Sequence, residues 1–426
     1  MVVPAGIDGN IGQAYISNMI QKLSSEREGC VMSIAVLRYL CGLLLFIPLV
    51  STGADVNFQN YLFLACQSAQ GALQQRCQET DQGLGNVSGD SESSLNPTQA
   101  LAAGELEWRQ SASDDDLAGA QMELGKWSVS VQAYSGSLER EPSAKYASRA
   151  YDVDLSGLSV SLARLVGESG AVQLAFEQTK RDGSFAADQE GRNFVPWSTA
   201  GELDYDTVGF SLLYSHAVTD DWSLDIGLGR SNQDISITRR SVFQESNRVV
   251  GQVNSLTAGD FEADIDWWGV STAYDLRWGA FTLRPEASWT AREKTVDAYT
   301  ERDLSNTGLN MQFSGATTKS DLTTLGLSGL WTLNRSSGVY LPHVRTIQTR
   351  ESLDSGAPLR VRYVAAGSAD ALLISPDSVG KDMLKVTVGL SAVHPMGWSW
   401  FVDYADIVDG DDLDGWQFSA GIRKEL

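Results

Sequence analysis

The stretch from Asp266 to Arg292, "DWWGVSTAYDLRWGAFTLRPEASWTAR", sorts its residues by odd and even position. Trp268, Val270, Thr272, Tyr274, Leu276 and Trp278 share one parity, and Gly269, Ser271, Ala273, Asp275 and Arg277 the other. After one glycine the alternation resumes, with Phe281, Leu283, Pro285, Ala287, Trp289 and Ala291 against Thr282, Arg284, Glu286, Ser288, Thr290 and Arg292. A period of two belongs to β-strands, whose successive side chains stand on opposite faces. The pattern recurs from Trp222 to Gly229, from Leu384 to Ala392 and from Trp398 to Ala405. Tyr151, Val153 and Leu155 share a parity that Leu158, Val160 and Leu162 do not, which predicts a β-bulge near Ser156 and Gly157.

The connections between alternating runs decide the architecture. Five are short: "VGESG" near 167, "VTDD" at 218, "RWG" at 277, "NRSSG" at 334 and "HPMG" at 394. Between them lie polar stretches around residues 138–149, 182–202, 239–260, 298–318, 352–382 and 407–412. Long and short connections alternate, which predicts twelve antiparallel strands with every long loop at one end. Even strand number with short turns at one end and long loops at the other is the signature of an outer-membrane β-barrel. The strand-like segment 359–367, "LRVRYVAAG", falls inside the fifth long connection and is expected to extend a hairpin beyond the membrane. Twelve strands enclose more room than side chains fill, since interiors just fill at about eight. The apolar parity is therefore expected to meet lipid and the polar parity a wet lumen.

Tryptophans sharpen that expectation. Trp127, Trp222, Trp278, Trp331 and Trp398 lie beside a short turn or at the barrel start, at one depth, as interface aromatics do. The inward charges Asp275, Arg277, Arg284, Glu286 and Arg292 fall on strands six and seven and are expected to brace the lumen wall as a cross-strand network.

Composition narrows the partners. With 54 acidic against 32 basic residues the net charge is -22, which argues against a nucleic-acid partner. The segment from Ile34 to Val50, "IAVLRYLCGLLLFIPLV", with Arg38 in it and "STGAD" behind it, reads as a secretory signal, the rival being an uncut N-terminal anchor. Cys30 and Cys41 would leave with that signal, so Cys66 and Cys77 form the mature pair, and export suggests a disulfide. Eleven residues of one helix would hold them about 16 Å apart, beyond bonding reach, so a turn near Gly71 must fold the segment back if they pair. The phrase "FLAC" leaves lipid attachment at Cys66 as the other option. Residues 78–96 read as a polar linker, and Asn96 and Pro97 open a predicted helix over about 97–110 that is placed to enter the lumen. The expected divisions are residues 1–54 (extension and signal), 55–96 (short periplasmic or vestigial passenger and linker), 97–123 (helical linker) and 124–426 (barrel).

Three stretches then resemble the autotransporter β-domain, the translocator unit of type V secretion. They are "ELDYDTVGFSLLYSHAVTDDWSLDIGLGRSNQDISI", "GVYLPHVRTIQTRE" and "DMLKVTVGLSAVHPMGWSWFVDYADIVDGDDLDGWQFSAGIRKEL". The resemblance spans roughly 124–426 and implies a twelve-stranded barrel traversed by a helix, set in outer-membrane lipid after handling by periplasmic chaperones and the barrel assembly machinery. Two departures stand out: the chain ends in Leu426 where members usually end in an aromatic residue, and only about 40 residues separate the signal from the predicted helix.

Catalytic motifs are scarce. "GDSE" at Gly89 to Glu92 resembles an esterase nucleophile block but sits in the linker. His216, His343 and His394 are scattered, metal ligands do not cluster, and the acidic run Asp409 to Asp414 reads as a solvated loop rather than a Ca²⁺ site. The expectation is a translocator or surface anchor for a very short or missing passenger, with no catalysis, cofactor or metal of its own. Other classes are an outer-membrane enzyme of esterase or protease type with a rim site, discriminated by matched heights of its His, Ser and Asp, and a passive pore.

Overall fold

The computed structural model describes residues 65–79, 87–88, 127–140, 150–167, 169–187, 197–244, 252–356, 358–367, 371–374, 382–410 and 413–426. The expected signal, the "GDSE" stretch and the helix over about 97–110 lie outside the described residues. Among the described residues one short α-helix precedes the barrel, α1, Gly71–Glu79. The barrel strands are β1 Trp127–Arg140, β2 Tyr151–Val166, β3 Gly170–Ala186, β4 Thr199–Thr219, β5 Trp222–Gln244 and β6 Gln252–Tyr274. They continue as β7 Phe281–Val296, β8 Ala316–Trp331, β9 Gly338–Gly356, β10 Asp382–His394, β11 Trp398–Gly410 and β12 Leu413–Glu425.

Each strand pairs antiparallel with its neighbour in sequence, and β1 pairs with β12 through Val131 opposite Ile422 and Leu138 opposite Gly415. The sheet is a closed twelve-stranded antiparallel barrel, which leaves no edge for another chain to join. The five short turns fall where alternation breaks. The sixth connection at the other end differs from expectation: β11 runs to Gly410 and β12 starts at Leu413, so it is a two-residue link.

The expected bulge in β2 is absent. Registers on both sides of Ser156 and Gly157 run without a shift, through Ser135 opposite Ser156 and Ser156 opposite Lys180. The backbone does not slip; its surroundings change. Tyr151, Val153 and Leu155 are buried inside, whereas Leu158, Val160 and Leu162 are exposed on the outside. β4 does the same, with Leu203 and Tyr205 buried and Val208, Phe210, Leu212 and Tyr214 exposed. β5 mirrors it: Leu224, Ile226 and Leu228 are exposed, and Ile235 and Ile237 are buried.

The barrel therefore has two storeys. Toward the short turns an apolar outer face surrounds a polar interior with Gln132, Glu177, Ser231, Ser328 and Ser391 buried in it. Toward the long connections, carboxylates such as Asp152, Asp154, Asp204 and Asp206 point outward, and one apolar core fills the interior. β4, β5 and β6 run for 21, 23 and 23 residues, roughly twice the 9–11 that cross a hydrocarbon layer. The surplus length is the upper storey. This corrects the expectation of a lumen that is wet throughout, because segments other than the wall supply the filling.

The two faces give opposite responses to one charge. Leu212→Arg, on the outer face of the lower storey, is expected to cost roughly 2–4 kcal/mol in a bilayer. Ser211→Arg beside it on the inner face is expected to cost clearly less. Guanidinium titrations of the barrel refolded into lipid vesicles measure both.

Candidate functional site, the lumen wall and the outer mouth

The lower lumen is held by ion pairs. Asp275 accepts from Arg284 Nε at 2.6 Å and from Arg277 Nη2 at 3.0 Å, while Arg277 Nη1 reaches Asp221 at 2.8 Å. Glu286 and Arg292 reach further, to β9. Glu286 receives a two-pronged contact from Arg345 on β9, Nε to Oε1 at 2.6 Å and Nη2 to Oε2 at 2.8 Å. Arg292 Nη2 meets Glu351 Oε1, also on β9, at 3.0 Å with both side chains buried.

These pairs leap over β8. Strands two places apart lie roughly 9–10 Å apart, a span that an arginine and a glutamate cover from a concave wall when the residue between them is small. Gly326 on β8 is opposite Glu286, and a Cβ there would fall 2.1 Å from Glu286 Oε1. His343 on β9 reaches Asp403 on β11 the same way, Nε2 to Oδ1 at 3.1 Å, over Gly389 of β10. Pairing by sequence neighbourhood could not reveal Arg345, Glu351 or Asp403 as partners; Gly326 and Gly389 were a local signal for the first and last alone.

At the other end, two long connections build a cap. Residues 299–300, 311–313, 359–363 and 372–374 form a separate four-stranded sheet, so the segment beginning at Leu359 does not lengthen a barrel hairpin as expected. Phe313 is opposite Val361 and Met311 opposite Tyr363, and their side chains are buried. Tyr299 stacks on Phe261 of β6 with ring centroids 4.2 Å apart, and on Phe313 at 4.4 Å. Burial, with the charge of Glu301 adding to it, holds the Tyr299 phenol well above its ordinary range.

A buried ion pair ties the cap to the wall. Arg239 of β5 donates Nε to Glu301 Oε1 at 3.0 Å and Nη2 to Oε2 at 2.7 Å, with both side chains almost wholly buried. Arg239 also donates to Leu309 O, and Glu301 accepts from Met311 N at 2.8 Å. Desolvated charges need this degree of satisfaction.

The chain ahead of the barrel joins the cap. Cys66 and Cys77 are bridged with their Cα atoms 5.6 Å apart, and Gly71 between them takes φ +59. Gln70 N donates to Ala365 O at 2.8 Å, and Ser68 Oγ donates to Ala366 O. Gly308 lies so close to α1 that a Cβ on it would sit 2.4 Å from Leu73 N. Ala65, Ala69 and Leu73 belong to the same buried core as Leu309, Met311 and Tyr363. Farther on, Val87 and Ser88 pair with Phe243 and Val242 at the long-connection end of β5.

The other expected residues are dispersed. Trp127, Trp222, Trp278, Trp331 and Trp398 stand exposed at the short-turn end, where Arg164 lies over Trp127 and Lys424 over Trp398. His216 and His394 are at that end too, His216 beside Tyr214 and His394 accepting from Trp400 Nε1 at 2.9 Å. His343 is in the lumen beside Asp403. Among the described residues no three His, Cys, Asp or Glu side chains are grouped to hold a metal.

A closed barrel with an apolar belt, a polar lower lumen and all long connections at one end is an integral protein of the bacterial outer membrane. The sequence pattern of the Autotransporter beta-domain matches residues 129–405, and the chain belongs to that family. The structure is similar to the translocator domain of autotransporter NalP from Neisseria meningitidis, with a TM-score of 0.55 at 13% identity, covering 77% of this chain and 98% of that one. It is also similar to the β-domain of the Bordetella autotransporter BrkA, with a TM-score of 0.47 at 15% identity, covering 71% and 100%. No curated protein sequence matches it significantly.

Glu301→Ala leaves Arg239 charged and buried without its partner. The expected loss is roughly 3–5 kcal/mol, concentrated in the cap, and hydrogen exchange should rise in residues 299–313 while the lower strands keep their protection.

Proposed function

We infer that this barrel serves as translocator and surface anchor for a very short passenger, the cysteine-bridged segment that precedes it, and has no catalytic activity of its own. One observation carries the reading. Residues 65–79 and 87–88 bind at the long-connection end, whereas β1 begins at Trp127 beside the short turns, where Leu426 N bonds Trp127 O. In an outer-membrane barrel the short turns face the periplasm, so the passenger lies across the membrane from the point where the barrel begins. Lipid cannot accommodate an unpaired backbone, so on this reading the passenger reached that end by way of the barrel. The five tryptophans then form the periplasmic girdle, and the ion pairs over β8, with the His343–Asp403 contact over β10, keep the lumen walls rigid while chain passes. Periplasmic chaperones and the assembly machinery are the partners this reading requires. On this reading the contact between His343 and Asp403 is wall bracing.

An epitope inserted between Asp55 and Val56 tests this on intact cells. Antibody is expected to label unpermeabilised cells carrying the full chain, and labelling only after the outer membrane is opened would overturn the reading.

A further inference from the structure

The upper storey is filled in a way that anchoring alone does not require. Among the described residues, every barrel strand except β9 sends at least one side chain into a single apolar core, from Leu138 on β1 to Leu413 on β12. A ring of wall residues meets the cap at the centre, and Ala65, Ala69 and Leu73 of the N-terminal segment complete the same core. Water and ions cross such a core only if it opens. The passenger is thus built into the seal.

We propose that the Cys66–Cys77 loop is a stopper that closes the outer mouth of its own barrel, held there by the disulfide; the proposal rests on the anchor reading above. A helix of nine residues is marginal by itself in water, so the bridge keeps Leu73 and Ala69 presented together to the cap. Cutting it frees a closed loop of eleven residues' separation, a change that shifts the ratio of docked to undocked stopper by roughly a hundredfold. The cap supplies matching contacts: the carbonyls of Ala365 and Ala366 accept from Gln70 and Ser68, and Gly308 lets Leu73 come down onto the loop.

Planar-bilayer recording of the purified full chain tests this in three ways. Folded wild type treated with tris(2-carboxyethyl)phosphine requires no refolding, C66S/C77S removes the bridge, and G308V leaves both cysteines in place but drives a side chain into the backbone of α1. Each should raise open probability roughly tenfold or more over the oxidised wild type, while the heat-dependent gel shift of a folded barrel persists. Unchanged conductance in all three, with that shift intact, overturns the stopper. Failure of the anchor reading shows elsewhere, as an epitope at Asp55 that intact cells hide.

Discussion

A β-ladder turns alternate side chains to opposite faces whatever lies around it, and in this protein the surroundings change halfway up. Below, hydrocarbon is outside and a polar lumen inside; above, water is outside and an apolar filling inside. Since the register through β2 does not shift, the sequence has to exchange its apolar parity at one height on strand after strand. Leu155 to Leu158, Tyr205 to Val208 and Leu228 to Ile235 are that exchange. The apolar belt, the polar lumen and the capped mouth all follow from where it occurs.

Each storey answers the problem of a wide interior differently. A barrel of twelve strands is too broad for wall side chains to meet. The lower storey leaves the centre polar and stiffens the wall with pairs that skip a strand, Glu286 to Arg345 over Gly326 and His343 to Asp403 over Gly389. The upper storey imports chain, two long connections and the N-terminal segment, and packs them against the wall. Arg239 and Glu301 join wall to cap with an ion pair that water scarcely touches. One end is thereby braced around a passage and the other is closed.

Much of this was legible in the chain itself. Alternation of apolar and polar residues and the five short turns follow from local periodicity, since strand geometry is set residue by residue. The tryptophans at the short-turn end were legible for the same reason. The break of parity in β2 was visible too, but periodicity alone reads it as a kink, because a change of solvent and an inserted residue produce the same pattern.

What tertiary structure alone decided is everything that depends on which distant surfaces meet. Arg345 and Glu351 are 59 residues from the charges they hold, and Arg239 is 62 from Glu301. The Cys66–Cys77 segment reads as a cysteine-paired stretch of short passenger, and only the fold brings its Ser68 to Ala366, nearly 300 residues downstream. The sequence by itself determined a twelve-stranded outer-membrane wall, because hydrogen bonding and side-chain alternation are local. Closure of the wall brought the partners together and filled its mouth, because burial depends on what the finished shape encloses.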